Sequence, residues 1–263
     1  FNAERAGVMK RLFSLLLWIF IFCGHSLDAR QDILTLGDIP QIMERFFHFH
    51  IESKEFTPTL VRRSFKLYIE QFDADKSYLL ETEVAPYLTM SAQRAEEILG
   101  RVKNGNYSDF TALNTIFEKA ILRARQARLD LTGQLLAGGA AIAPSSTGSS
   151  GASYAKSETE LAQRQKARML KFYTFHQSRT RLDSTARQEM VFQLFEKRVS
   201  RIENNYLFMG NFNKEPKAEH LLVLRILKSL AKSLDTHTAF FSPEEAYEMR
   251  LSLEKQFEGV GVV

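Results

Sequence analysis

One cysteine, six prolines and 13 glycines in 263 residues exclude several kinds of protein before any motif is considered. A single thiol leaves no disulfide to form within the chain. So little Gly and Pro argues for long helices rather than many short strands joined by tight turns. No Lys/Arg block with interleaved aromatics stands out, and the net charge of +4 is mild. Nucleic acid is therefore not an expected partner. No apolar run approaches the ~20 residues that cross a bilayer as a helix. What remains, 44% hydrophobic and 25% charged residues, is the composition of a globular protein with solvated helix faces and enough length for a real core.

The longest apolar run lies near the start. Lys10 and Arg11 precede "LFSLLLWIFIFC", Leu12 to Cys23, about 12 residues, the length of a signal-peptide core and short for a membrane span. Gly24 and Ser26 put small residues where cleavage after Ser26 needs them, with Ala29 a second candidate. A lipid-attachment reading of Cys23 meets a bulky Phe22 in front of it. The expectation is an upstream extension over 1–8, a signal peptide over 9–26, and export to the periplasm. The alternative is an unprocessed anchor. Cleavage after Ser26 would also remove the one cysteine, which suits an oxidising compartment.

Helical patterns then follow one another across a domain expected over 30–250. Asp38 precedes Ile39, Ile42, Met43, Phe46 and Phe47 on one stripe. Thr57 and Pro58 form a cap and first turn before Leu60, Val61, Phe65, Tyr68 and Phe72. Ala95, Ile98, Leu99 and Val102 make a third helix, closed by Asn104-Gly105. Ser108 opens a fourth through Phe110, Leu113, Phe117 and Ile121 that fades at Gly133. From 133 to 157 small residues dominate without period, which predicts a flexible surface loop. "SETE" at Ser157 to Glu160 is a capping box. Val191, Leu194, Phe195, Val199 and Ile202 carry another helix, and "HLLVLRILKSLAKSL" a last apolar one from His220 to Leu234. The fold class is mainly α.

Candidate ligands fare poorly. "FDADKSYLLETEV", Phe72 to Val84, spaces Asp73, Asp75 and Ser77 like a calcium loop. Yet an EF-hand wants Gly at its sixth position and a bidentate carboxylate at its twelfth, and Tyr78 and Val84 stand there. His48 and His50 are two apart and point to different helix faces. Glu44 and His48 have the better spacing, but zinc wants three or four ligands. No nucleophile-elbow pattern marks a serine. No metal, cofactor or catalytic residue is expected.

The calcium-like stretch has an echo. "LDTHTAFFSPEE", Leu234 to Glu245, also closes an apolar helix at an Asp, turns through polar residues past an aromatic (Phe240 for Tyr78), and opens another helix at Ser242-Pro243. Asp73 and Asp235 are expected to hold turn amides, and Glu81, Glu83, Glu244 and Glu245 to favour helix N-termini. The second copy, with His237, Thr238 and the later Gly259-Val260-Gly261, resembles the junction into the PDZ domain of the tail-specific proteases, the carboxy-terminal processing peptidases. The first is similar to a Leu-Asp-x-x-Lys-x-Tyr run of that family's helical N-terminal domain, with Phe72 and Ala74 departing from it. The resemblance covers roughly 33–263.

It implies a PDZ domain beginning over 251–263 with a first strand, and a loop at Gly259, Val260, Gly261 and Val262 that binds a substrate's terminal carboxylate. The partners implied are proteins with exposed C-termini, without nucleic acid and with the membrane met only through the signal peptide. A homo-oligomer is open. The family's nucleophilic Ser and Lys base belong to a protease domain beyond the PDZ domain, and the chain stops at Val263. It is therefore expected to be an N-terminal portion of an exported serine endopeptidase, inactive alone, from a fragment or an interrupted gene. The alternative is a non-enzymatic helical scaffold or adaptor of the periplasm.

Overall fold

A computed structural model describes residues 33–137, 153–177, 184–207 and 216–258. The expected extension and signal peptide, residues 138–152 of the expected loop, and Gly259, Val260, Gly261 and Val262 lie outside these residues. Residues Leu34–Val263 cluster as one unit, and the preceding unit, Phe1–Ile33, is outside the description but for its last residue.

Nine α-helices make up the described fold, after a short 3-10 turn at Leu36–Asp38: α1 (Ile39–Phe49), α2 (Pro58–Phe72), α3 (Glu81–Leu88), α4 (Ala92–Lys103), α5 (Ser108–Ala137), α6 (Glu158–Gln177), α7 (Ser184–Glu203), α8 (Pro216–Leu234) and α9 (Pro243–Glu258). The mainly-α expectation holds. Among the described residues the only strand-like pairing is an isolated parallel bridge between Leu80 and Ala155. No described helix is long and apolar enough to cross a membrane.

The helix starts follow the local chemistry. Thr57 accepts the Leu60 amide, with Pro58 in the first turn of α2. Ser91 does the same for α4 through the Arg94 amide. Gly105, at φ 71°, ends that helix in the left-handed region that glycine enters without strain. Asp38 precedes α1 as expected but reaches backward, accepting the amide and hydroxyl of Thr35 at 2.7 and 2.9 Å. At α6, Ser157 Oγ accepts the Glu160 amide at 3.2 Å, while Glu160 takes the Lys156 amide at 2.9 Å.

Helix α2 lies at the centre, packed most closely by α8 and also by α3 and α4, while α8 meets α1 as well. Its buried stripe of Leu60, Val61, Phe65, Tyr68 and Ile69 meets Leu222, Val223, Ile226, Leu227 and Leu230 of α8 in one core. Aromatic rings run through it. Phe65 stacks on Phe110 at 4.3 Å and on Tyr87 at 5.5 Å, and Phe72 stacks on Phe117 at 4.3 Å. Each such pair adds ~0.5–1.5 kcal/mol to area burial. A smaller core joins Met169 and Tyr173 of α6 to Val191, Phe192, Phe195 and Val199 of α7, capped by Leu131, Leu135 and Leu136 of α5. Helix α5, about 45 Å long at 1.5 Å per residue, serves both cores.

Two boundaries move. The expected loop does not begin at 133, because α5 continues to Ala137. Glycine at 133 weakens a helix by ~1 kcal/mol relative to alanine, but Leu131, Leu135 and Leu136 pack on the smaller core and offset it. At the loop's other end Ala155 is fully buried, so the expected flexible segment narrows from both sides. Helix α9 runs to Glu258, eight residues past the expected limit at 250. "LSLEKQFE" is rich in helix formers and has no β-branched residue, so residues 251–258 are helix where the PDZ domain and its first strand were expected to begin.

Candidate functional site

The two echoed turns are built on the same device. In the first, α2 ends at Phe72 and Asp73 caps it. The Asp73 carboxylate accepts the main-chain amides of Ser77, Tyr78 and Leu79 at 2.7, 3.0 and 2.9 Å. The carbonyls are matched as well. Arg164 donates to Lys76 O at 2.6 Å, Gln165 to Ser77 O at 2.7 Å and Arg123 to Tyr78 O at 2.8 Å. Lys76, at φ 51°, makes the left-handed step that turns the chain back. Burial raises the Asp73 carboxyl above the ordinary aspartate range, against the pull of the three amides and Arg168.

Glu83 caps α3 through the Leu80 amide at 2.8 Å and holds Arg123 with both oxygens. Of the carboxylates in the calcium-like stretch, Asp73 thus accepts amide hydrogens and Glu83 amide and guanidinium hydrogens. Among the described residues no three His, Cys, Asp or Glu side chains group as metal ligands.

Tyr78 buries its ring beside Phe72 at 5.1 Å and donates its hydroxyl to Glu203 at 2.9 Å. That glutamate, 2% exposed, pairs with Arg128, 1% exposed, and with Arg125 at 2.7 Å. Arg128 also grips Glu196 through Nε at 2.8 Å and Nη2 at 2.9 Å. Its Nη1 stands 2.9 Å from Glu203 Oε1, close enough to pair but out of line for a hydrogen bond. Burial pulls the Arg128 guanidinium down, but its bonds to Glu196 and Glu203 outweigh this and raise it above the arginine range. This buried network has no sequence signature, because Arg128 and Glu203 are 75 residues apart.

The second turn joins α8 to α9. Asp235 Oδ1 accepts the amides of His237 and Thr238 at 2.7 and 2.5 Å. Its other oxygen meets His50 Nε2 at 2.6 Å. His50 Nδ1 accepts the Ser53 amide at 2.8 Å and the Glu52 amide at 3.2 Å, which places the ring's proton on Nε2, facing Asp235. The Thr238 amide above all, then His237 and His50, hold the Asp235 carboxyl far below the usual aspartate range. Arg63 donates to Ser233 O at 3.1 Å. Ser242 and Glu245 form the expected capping box, at 3.2 and 2.9 Å, and Lys228 pairs with Glu245 at 2.5 Å.

Phe240 meets Phe46 edge-on at 6.2 Å but is only half-buried, whereas Tyr78 is fully inside, so the two aromatic positions are unequal anchors. His48 is exposed beside the Phe49 ring and Glu44 is exposed too. The histidine that matters is His50, and its partner is 185 residues away.

Beside this turn lies an open groove of about 890 Å³ between α8 and α9, with Tyr206, Arg225, Lys228, Lys232, Phe240 and Met249 on its walls. The Arg225 guanidinium lies 4.3 Å over the Tyr206 ring, and burial lowers it from the ordinary arginine value. None of its side chains forms a nucleophile–base pair.

The family model described as the tail specific protease N-terminal domain matches residues 42–244. The match begins inside α1, contains both aspartate-centred turns and ends in the first turn of α9. No curated protein matches the chain.

Proposed function

The chain belongs to the tail specific protease N-terminal domain family, and from that premise we propose that it is the helical N-terminal portion of an exported serine endopeptidase acting on proteins recognised at their C-termini. The observation that carries this is the match over residues 42–244, which runs from within α1 through the Asp235–Ser242 turn into the first turn of α9. In the proposal, Phe46, His50 and Arg63 hold that turn against α1 and α2, so α9 leaves in a fixed direction toward a PDZ domain. Gly259, Val260, Gly261 and Val262 form the loop whose amides receive the substrate's terminal carboxylate, as PDZ domains bind a peptide end by strand addition. The bond-breaking serine and lysine belong to a following protease domain, and no residue of the helical frame is assigned a catalytic role. Export to the periplasm through a signal peptide over 9–26 is part of the same proposal.

The test compares two proteins on an unstructured substrate with a free or amidated C-terminus. One is this chain, and the other is this chain extended by the sequence its gene encodes after Val263. The expected result is cleavage by the extended protein alone, slower on the amidated substrate, and abolished by replacing its serine nucleophile. An extension with no serine–lysine pair, and no cleavage by either protein, would overturn the proposal in favour of a helical scaffold or adaptor.

A further inference from the structure

A second cavity, of about 320 Å³, is lined by α1, the segment Lys54 to Phe56, the end of α4, Tyr107 just before α5, and Leu230 of α8. Its volume is at the small end of the ~300–1,000 Å³ usual for ligand pockets. Met43, Phe47, Phe56, Val102 and Leu230 give it an apolar wall, with Phe47 and Phe56 rings 6.5 Å apart.

One polar group interrupts that wall. Tyr107 is 3% exposed and lines the cavity. Its carbonyl is used, accepting the Phe110 amide at 3.0 Å and the Thr111 amide at 3.2 Å. Its hydroxyl, by contrast, meets no hydrogen-bond partner among the described residues. Burial alone pushes this phenol up to about 12, so at neutral pH it is an O–H with a hydrogen to donate. Two other buried tyrosines of the same core do have partners: Tyr68 donates to Asn114 at 3.1 Å and Tyr78 to Glu203 at 2.9 Å. The hydroxyl oxygen is not among the fully enclosed polar atoms without a partner, so it is open to water, and a ligand's acceptor can take its hydrogen in place of that water.

The rim narrows the ligand class. Glu44 and Glu55 oppose Lys54 and Lys103 there, and Lys54 is already engaged with the His50 carbonyl at 2.6 Å. Two charges of each sign give an ionic ligand no net field to favour it. We propose that this cavity is a binding site for a small, neutral, apolar molecule bearing one hydrogen-bond acceptor, a ketone or ester oxygen, which the Tyr107 hydroxyl recognises.

Acetophenone serves as the probe, with α-methylstyrene as the hydrocarbon of the same shape without the acceptor. Both are titrated into the whole chain by ligand-observed NMR, with wild type beside Tyr107→Phe and Val102→Trp. The expected result is saturable binding of acetophenone, weakened about three- to tenfold in Tyr107→Phe, the worth of one neutral hydrogen bond. Binding of α-methylstyrene should not fall in that variant, and Val102→Trp, which fills the cavity, should remove both. Tyr107→Phe should melt no lower than wild type, because its hydroxyl holds nothing in the protein. Absence of saturable acetophenone binding would overturn the proposal. So would equal affinity of the ketone for Tyr107→Phe, or a Tyr107→Phe variant that melts well below wild type.

Discussion

Replacing Asp73 by Ala removes the acceptor of three main-chain amides at once, on a turn where Ser77, Tyr78 and Leu79 are all buried. A hydrogen bond to a charged group contributes ~1.5–3 kcal/mol net, so three counted separately would give about 4.5–9 kcal/mol. Two effects reduce this. Burial already works against the Asp73 charge, as its raised carboxyl shows, so deleting the charge relieves a desolvation cost. Water entering the vacated space would satisfy part of what is lost. The expected loss is about 3–5 kcal/mol, a large fraction of the ~5–15 kcal/mol that holds a domain folded. Urea unfolding of wild type and Asp73→Ala, followed by circular dichroism, reads it as a fall in midpoint at constant slope. Calcium chloride should move neither midpoint, since the carboxylate is committed to amides. A loss below about 1 kcal/mol, less than a single such bond, would refute this account of the turn. A calcium-dependent stabilisation present in wild type and absent from Asp73→Ala would refute it also.

Glu203→Gln leaves the buried Arg128 with Glu196 alone and should cost about 3–5 kcal/mol in the same assay. A near-neutral result would mean the network is not desolvated in solution. Phe240→Ala should cost only about 1–2 kcal/mol because the ring is half-buried, against ~3–5 kcal/mol for a buried ring, and Ser242→Ala about 1 kcal/mol through its cap. Mass spectrometry of the exported protein should find an N-terminus at Leu27, the product of cleavage after Ser26. Recovery of Met9 to Cys23 on the mature chain would contradict that.

The helices and both turns could be read from the sequence because their determinants are local. Thr57-Pro58, and Ser242-Pro243 with Glu245, act within one helical turn. Asp73 reaches only as far as Leu79, and Asp235 only to Thr238. What could not be read joins distant segments: His50 with Asp235, Tyr78 with Glu203, Arg128 with Glu196, and the cavity that collects Met43, Val102, Tyr107 and Leu230. The misplaced loop boundary has the same origin. "GQLLA" is featureless until α6 and α7 offer Leu135 and Leu136 a surface.

The two aspartates solve one problem, ending an apolar helix and re-aiming the next, but in different surroundings, and pH should separate them. Asp235 sits at a partly exposed turn with its carboxyl held well below the ordinary range by the Thr238 amide, the His237 amide and His50. A carboxyl lowered on folding contributes stability that is complete above its unfolded value, about 3.9, and is lost as pH falls through the folded value. The α8–α9 turn should therefore loosen below about pH 4. Asp235→Asn should flatten that part of the stability–pH curve while leaving neutral pH less affected, because Asn still accepts through its one carbonyl oxygen. Asp73 is shifted the opposite way, so its variant should not reproduce this flattening. Thermal unfolding of wild type, Asp235→Asn and Asp73→Asn between pH 2 and pH 7 distinguishes them. An Asp235→Asn curve parallel to wild type down to pH 2 would show that the junction draws nothing from this carboxylate.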